Sequence, residues 1–217
     1  MRKRWTAFAF LAVVLACNGC DATAPEVCAA TTGAPAPMPA HAPFALLVFS
    51  RTTGYRHASI AAGITALQAL GALNDFSVEA TEDPAAFGDA NLGRFGAVVF
   101  LSTTGDVLND AQQAAFERYI RAGHGFVGVH SASDTEYGWS WYHALLGATF
   151  ASHPAIQQAT VIVADPGQPS TSALPNPWVR SDEWYNFQAQ PAGVTVLARV
   201  DESTYAGGTM DAAHPIS

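Results

Sequence analysis

The feature that most constrains the fold is an apolar, glycine-punctuated run that breaks abruptly into polar residues. It extends from Gly123 to Asp134 and changes character at His130. A continuous apolar strand is typical of a parallel sheet in which both faces are covered. In such sheets, ligands bind just beyond the carboxyl ends of the strands. We therefore expect His130, Ser131 and Asp134 to lie at a functional edge.

Other apolar runs of strand length alternate with helical patterns. Strands are predicted over residues 44–50, 76–80 and 97–101, and helices over 59–73 and 109–121. This alternation predicts an α/β fold with a mostly parallel central sheet. Polar loops follow the predicted strands after Ser50, Leu101 and Val129, so all three loops should meet at one edge of the sheet.

The second half of the chain has a less regular pattern. It predicts a short aromatic helix over residues 139–146 and strands over 159–163 and 194–198. Neither an internal repeat nor a second hydrophobic core is evident. We therefore expect one folded domain over residues 44–217.

The beginning of the chain has the composition of an export leader. A basic start precedes an apolar stretch that is too short to span a bilayer. The sequence Val-Leu-Ala-Cys that ends at Cys17 is similar to a bacterial lipobox, so Cys17 is the expected lipidation site. We predict a signal peptide over residues 1–17 and a disordered Ala/Pro-rich tether over 18–43. The protein is then exported and lipid-anchored in the cell envelope, either in the periplasm or on the outer surface; a plain secretory signal is the alternative.

Charge and cysteine content exclude two classes of function. The formal net charge is −8, from 10 basic and 18 acidic residues, and such a surface repels nucleic acid. Cys17, Cys20 and Cys28 are the only cysteines, and all precede the predicted domain. The domain itself therefore has no thiol for nucleophilic catalysis. The only membrane contact that we expect is through the N-terminal lipid anchor.

Several motifs occur together in an order that resembles the ThuA-like (trehalose utilisation) family. They are Leu-Val-Phe-Ser at 47–50, Gly-Tyr-Arg-His at 54–57, the strand at 97–101, Gly-Phe-Val-Gly-Val-His-Ser-Ala at 125–132, Ser-His-Pro at 152–154 and Asp-Glu-Trp-Tyr-Asn-Phe at 182–187. The resemblance implies a flavodoxin-like three-layer sandwich related to class I glutamine amidotransferases. It also implies a role in bacterial carbohydrate metabolism, around trehalose, related disaccharides or their keto derivatives.

Two departures qualify what the resemblance implies. The related amidotransferases carry a nucleophilic cysteine where this chain has His130, and a histidine cannot replace a thiolate in that mechanism. Glutamine amidotransferase chemistry is therefore not expected. Members of the family also continue beyond the equivalent of Ser217, so the domain is expected to lack its C-terminal end.

His130 is the leading candidate for chemistry because it stands at a predicted strand end. A histidine there can act as a general acid or base near neutral pH, or it can bind a metal. The alternative is a buried histidine that hydrogen-bonds within the sheet edge. His57 follows the first predicted strand and faces the same edge, where it is expected to bind substrate or metal.

An acidic pair lies next to aromatic residues at Asp182, Glu183, Trp184 and Tyr185. Carboxylates bind sugar hydroxyls, while aromatic rings pack against the apolar face of a sugar. We expect Asp182 or Glu183 to assist His130 in catalysis and Trp184 and Tyr185 to bind substrate. Adjacent side chains usually diverge, so only one of the two acids is expected to enter the site. In the alternative interpretation Trp184 is a core residue and both acids are solvated.

Tyr55, Ser131 and Asp134 complete the predicted set of substrate-binding residues, because all three follow strand ends. A catalytic triad of Ser131, His130 and Asp134 is not expected. Triad side chains normally converge from separate loops, and these three residues share one turn.

A divalent metal site is a further hypothesis for this edge. His57, His130, His153 and His214, with Glu183, offer the imidazole and carboxylate ligands that zinc takes. Their spacing matches no compact zinc motif, so the hypothesis depends on the fold bringing them together.

Two functions of different classes follow. The first is a sugar-processing enzyme of hydrolase or isomerase type that acts on a small sugar by histidine acid/base or metal-assisted chemistry. The second is a non-catalytic carbohydrate-binding or interaction module on the cell envelope. The sequence does not choose between them, and it leaves the oligomeric state open.

Overall fold

The structure is a computed structural model that describes residues 44–211 and 214–216. The predicted signal peptide, the lipidation site Cys17 and the tether lie outside the described residues. Within the two described ranges, no helix combines the length and apolar character needed to cross a bilayer.

A four-stranded parallel sheet forms the centre of the domain and confirms the predicted fold class. Its strands are β1 (Phe44–Phe49), β2 (Phe76–Thr81), β3 (Ala97–Leu101) and β4 (Gly125–Val129). Their order across the sheet is β2-β1-β3-β4. The register pairs Phe49 with Phe100 and Leu101 with Val129, so β1, β3 and β4 end side by side.

Three of the four α-helices in the described residues lie close to where the sequence predicts them, and the short second helix was not predicted. They are α1 (Ile60–Leu73), the short α2 (Asp89–Leu92), α3 (Asp110–Arg121) and α4 (Ser140–Leu146). A capping box at Asn109 starts α3, where Gln112 donates its backbone N–H to the Asn109 side chain and accepts the Asn109 N–H in return. These reciprocal bonds satisfy two backbone donors that a helix start leaves free.

The core lies on both faces of the parallel sheet because successive strand residues point to opposite sides. One face is strongly aromatic: Phe100 packs with Phe116 from α3 and Tyr142 from α4. The other face is aliphatic and packs Val48 and its neighbours against α1. Helices therefore cover both faces, which gives the three layers that a parallel sheet requires.

An antiparallel region follows the parallel sheet and differs in part from the prediction. Strand β5 (Phe150–Ser152) pairs with β8 (Asn186–Phe187), and β6 (Gln157–Val163) lies between β7 (Trp178–Asp182) and β9 (Ala198–Asp201).

The strand predicted over residues 194–198 is wrong, because the chain pairs with β6 only from Ala198 onward. Ala198 and Val200 point inward, and they join a small hydrophobic cluster with Val161 and Trp184. This cluster also corrects the expectation of a single core. The Val-Thr-Val pattern before Ala198 resembles a strand, but residues 194–197 are outside β9.

A buried carboxylate, Glu136, joins the connection after β3 to the segment after β4. It accepts hydrogen bonds from the backbone N–H groups of Val107 (2.8 Å) and Leu108 (2.7 Å) and from the Gln113 side chain (2.7 Å). Burial raises the pKa of Glu136, whereas these hydrogen bonds oppose the rise. The sequence analysis did not single out Glu136.

We predict that Glu136→Ala lowers the free energy of unfolding by about 3 kcal/mol, because it leaves buried N–H groups without an acceptor. The matched control is Glu82→Ala, which removes an exposed ion pair with Arg56 and should cost less than about 1 kcal/mol. Urea unfolding of both variants measures the difference. Equal losses in the two variants would contradict the structural role of Glu136.

Candidate functional site

His130 stands on a sharp turn directly after β4. Its φ angle is +52°, in the left-handed region that residues other than glycine rarely adopt. The turn depends on Gly128, because a Cβ there would overlap Leu146 and crowd Ala132. The backbone therefore leaves the strand abruptly and places the imidazole at the carboxyl edge of the sheet, as the sequence predicts.

Three side chains that can bind a metal converge at this edge. One ligand atom from each of His57, His130 and Glu183 lies within 4.8 Å of the other two. The His57 and His130 ring centroids are 4.4 Å apart, and His130 Nε2 is 3.3 Å from Glu183 Oε2. The residues come from the loops after β1, β4 and β7, respectively. We call them the His57–His130–Glu183 cluster.

Burial keeps the two histidines of the cluster neutral. Loss of solvent, followed by the proximity of His57, lowers the pKa of His130 to about 4, although Glu183 opposes this shift. Burial also lowers the pKa of His57, and Glu183 and Asp134 oppose it. Both rings are therefore uncharged at neutral pH, which is the state in which imidazole binds a metal.

The carboxylate of the cluster has an unsatisfied oxygen. Glu183 Oε2 is buried and has no hydrogen-bond partner among the described residues, although His130 Nε2 lies 3.3 Å away. A buried acceptor without a partner costs free energy. A cation held between this oxygen and the two imidazoles would remove that cost.

Tyr185 lies against the cluster. Its hydroxyl is 3.2 Å from His130 Nε2, and its ring centroid is 4.5 Å from that of His130. Burial and the negative charge of Glu183 raise the pKa of Tyr185, so the hydroxyl keeps its proton at neutral pH. The Tyr185 hydroxyl is therefore a hydrogen-bond donor beside the cluster, where it could fill the predicted substrate-binding role.

Two predicted metal ligands lie outside the cluster. His214 is fully buried, with Nδ1 at 2.7 Å from Glu202 Oε1 and Nε2 at 2.7 Å from the Tyr185 carbonyl oxygen. Both of its nitrogens are thus used within the fold. His153 is exposed, and its ring lies against that of Tyr185 with centroids 5.7 Å apart. It is a neighbour of the cluster without being part of it.

The adjacent acidic and aromatic residues separate, as expected for neighbours in a chain. Asp182 pairs with Arg180 and accepts the backbone N–H of Glu183 at 3.0 Å, whereas Glu183 enters the cluster. Trp184 packs into the small hydrophobic cluster, and its Nε1 donates to the Gln157 carbonyl oxygen at 2.8 Å. Trp184 is therefore placed as a core residue, which is the alternative that the sequence left open.

The remaining predicted residues lie around the same edge. Tyr55 is 70% exposed, with its ring centroid 4.9 Å from that of His57. Ser131 is fully buried, and its hydroxyl has no partner among the described residues. Asp134 accepts a 2.6 Å hydrogen bond from Tyr137, which is 46% exposed. Sequence reasoning missed Tyr137, although its position three residues after Asp134 was a usable signal.

Comparison with known proteins agrees with this architecture. The fold is that of a flavodoxin-like α/β protein. The sequence profile of the ThuA family, described as trehalose utilisation, matches residues 45–217. The chain belongs to the ThuA family. A comparison with curated proteins gives no match.

Two solved structures are similar. A ThuA-like protein from Bacteroides uniformis shares 26% identity and a TM-score of 0.69, with 85% of this chain and 80% of that chain covered. A ThuA-like protein from Parabacteroides merdae shares 17% identity and a TM-score of 0.65, with 81% and 74% covered, and this likeness concerns the fold alone.

The lowered pKa of His130 predicts a pH-dependent stability. A histidine in an unfolded chain titrates near 6.5, so between about pH 6.5 and 4 the unfolded chain binds more protons than the fold. The free energy of unfolding should therefore decrease as the pH falls through this window, by up to roughly 3 kcal/mol from His130.

We predict that His130→Asn makes this pH dependence shallower, because asparagine tolerates the left-handed backbone and does not titrate. The matched control is His124→Asn, at the opposite end of β4, which should keep the wild-type slope. Urea unfolding at pH 7 and at pH 4.5 gives the comparison. A wild-type slope in His130→Asn would contradict the assignment.

Proposed function

We propose that this ThuA-family protein is an exported, metal-dependent protein of carbohydrate utilisation that acts on a small sugar. The observation that carries the proposal is the convergence of His57, His130 and Glu183 from three separate loops. Titratable side chains that converge at the carboxyl edge of a parallel sheet are candidates for a functional site.

The geometry of the cluster supports zinc. Two ligands of a tetrahedral zinc ion, each about 2.05 Å from the metal, lie about 3.3 Å apart. His130 Nε2 and Glu183 Oε2 have that separation, at 3.3 Å. Two histidines and one carboxylate are a ligand set of catalytic zinc sites, in which the fourth position stays open to water or substrate.

The protein supplies groups that would act on a bound sugar. A divalent metal at the cluster would polarise a carbonyl or activate a water molecule. Tyr185, which keeps its proton, can donate a hydrogen bond to an oxygen beside His130. These groups suit a hydrolase or isomerase, with Glu183 and His130 at the reacting centre.

The rim of the cluster suits a neutral, polyhydroxylated ligand. Tyr55 and Tyr137 expose large ring surfaces, against which the apolar face of a sugar can pack. Asp134 and its partner Tyr137 offer acceptor oxygens for sugar hydroxyl groups. The family description, trehalose utilisation, agrees with a sugar ligand.

Location in the cell envelope is part of the proposal and is supported by the sequence alone. The lipobox-like sequence that ends at Cys17 supports lipid anchoring of the exported protein. The tether over residues 18–43 would then separate the folded domain from the membrane. Labelling of expressing cells with a radioactive or clickable fatty acid tests this, since Cys17→Ala should abolish incorporation.

We predict that the protein binds one zinc ion at the cluster. His130→Asn and Glu183→Gln should each weaken zinc binding by more than about 100-fold, because each removes a ligand. His153→Ala, at an exposed histidine next to the site, should retain affinity within about threefold. Calorimetric titration uses the full chain with C17S, C20S and C28S in every sample, so that leader thiols cannot bind the metal.

Stoichiometric binding that survives both His130→Asn and Glu183→Gln would contradict the assignment of ligands. Loss of binding in His153→Ala alone would move the site toward the exposed histidine.

A second prediction separates an enzyme from a binding module. Zinc-loaded protein incubated with trehalose and keto-disaccharides should release product, and Glu183→Gln should reduce turnover by at least about 100-fold. A non-catalytic carbohydrate-binding module is the alternative, favoured by the exposed tyrosines at the rim. Sugar binding without turnover, unchanged in Glu183→Gln but weakened in Tyr55→Ala, would establish that alternative.

A further inference from the structure

The loop that carries His57 is attached to the loop after β3. Thr52 and Thr104 form a parallel β-bridge, and the Thr53 N–H donates to the Thr104 carbonyl oxygen at 2.9 Å. The Thr53 hydroxyl lies 3.3 Å from that same carbonyl oxygen. Pairing between the two loops therefore continues past the end of the sheet and toward the His57–His130–Glu183 cluster.

A single buried hydroxyl extends this attachment. Thr104 is fully buried, and its Oγ1 accepts the Gly54 N–H at 3.2 Å while donating to the Tyr55 carbonyl oxygen at 2.9 Å. One side chain thus holds backbone groups of two consecutive residues of the loop. His57 follows only two residues after Tyr55, so these bonds fix the backbone that leads into it.

Two glycines allow the loops to approach so closely. A Cβ on Gly54 would lie 3.2 Å from Thr104 Oγ1, closer than such atoms normally approach. Gly105 has a φ angle of +72°, and a Cβ there would overlap Thr53 Oγ1. Each of the two loops therefore contributes a glycine that permits the close contact.

The position of His57 depends on this backbone support because few contacts hold its imidazole ring. Among the residues that the structure describes, none forms a hydrogen bond with the His57 imidazole. Its ring contacts are with Tyr55, which is itself exposed, and with His130. The position of the imidazole is consequently set by the loop, and the loop is held by Thr104.

We infer that Thr104 is a positioning residue that holds the His57 loop in the geometry needed for metal binding. The inference rests on the proposed zinc site. The Thr104 hydroxyl would act by holding the backbone of the loop, and it would not contact the metal. The side chain of serine retains that hydroxyl, whereas valine has the shape of threonine and lacks it.

Thr104→Val should weaken zinc binding by about 10-fold or more, the range that loss of outer-shell support costs. Thr104→Ser should bind within about threefold of wild type, because it keeps both hydrogen bonds. The matched control is Thr171→Val, which removes another buried hydroxyl bonded to loop backbone, near Asp165 and away from the cluster. It should lose stability but keep zinc affinity.

The measurement is calorimetric zinc titration of the full chain, again with C17S, C20S and C28S, at a temperature where every variant is folded. Hydrogen–deuterium exchange of the metal-free proteins is measured in parallel. Thr104→Val should speed amide exchange in residues 53–57 by about tenfold, because the Gly54 N–H loses its acceptor.

The outcomes are distinguishable. Wild-type zinc affinity in Thr104→Val, or equal weakening in Thr104→Ser, would overturn the positioning role. Absence of zinc binding by the wild-type chain would defeat the proposed function instead. In that case only the exchange data test whether Thr104 holds the His57 loop. Unchanged exchange of that loop in Thr104→Val would then overturn the inference.

Discussion

The candidate site depends first on the parallel register of β1, β3 and β4. Because Phe49 pairs with Phe100 and Leu101 pairs with Val129, the three strands end at nearly the same level. The chain leaves each strand in the same direction, so the polar loops that follow are forced together. A shift in register would separate the loops, and it would also turn core side chains toward the wrong face.

The candidate site brings together two imidazoles and a carboxylate, whose charges determine whether they can be close to one another. Two imidazoles and a carboxylate share a partly buried space, where a positive charge on either ring is unfavourable. Keeping both histidines neutral avoids repulsion between them. Glu183 Oε2 has no hydrogen-bond partner among the described residues. The fold therefore holds an incompletely satisfied acidic group next to two neutral imidazoles, an arrangement that is suitable for binding a cation.

The antiparallel region contributes the other half of the site. Strand β7 ends at Asp182, and the following residues deliver Glu183 to the cluster and Tyr185 to His130. Buried His214 forms a hydrogen bond with the Tyr185 carbonyl oxygen, so a residue near the end of the chain helps to hold the backbone of Tyr185. The cluster takes its side chains from both regions, and each region has its own hydrophobic cluster.

Local patterns in the sequence were sufficient for the parallel sheet, for the helix that starts next to Asn109 and for the break at His130. These features depend on apolar runs, on a side chain that caps its own helix and on a glycine that permits a tight turn, all within a few residues. The apolar pattern predicted the wrong bounds for β9, because pairing with β6 determines where that strand begins. Local patterns also left open whether Trp184 is a core residue.

The sequence by itself thus determined the α/β class and the edge at which His130 stands, because strand periodicity and turn chemistry are local. Only the tertiary structure decided that Glu183 rather than Asp182 enters the cluster, that His57 joins it and that His214 is held within the fold. These choices depend on contacts between segments distant in the chain, and no local periodicity encodes which of two adjacent carboxylates meets a given imidazole.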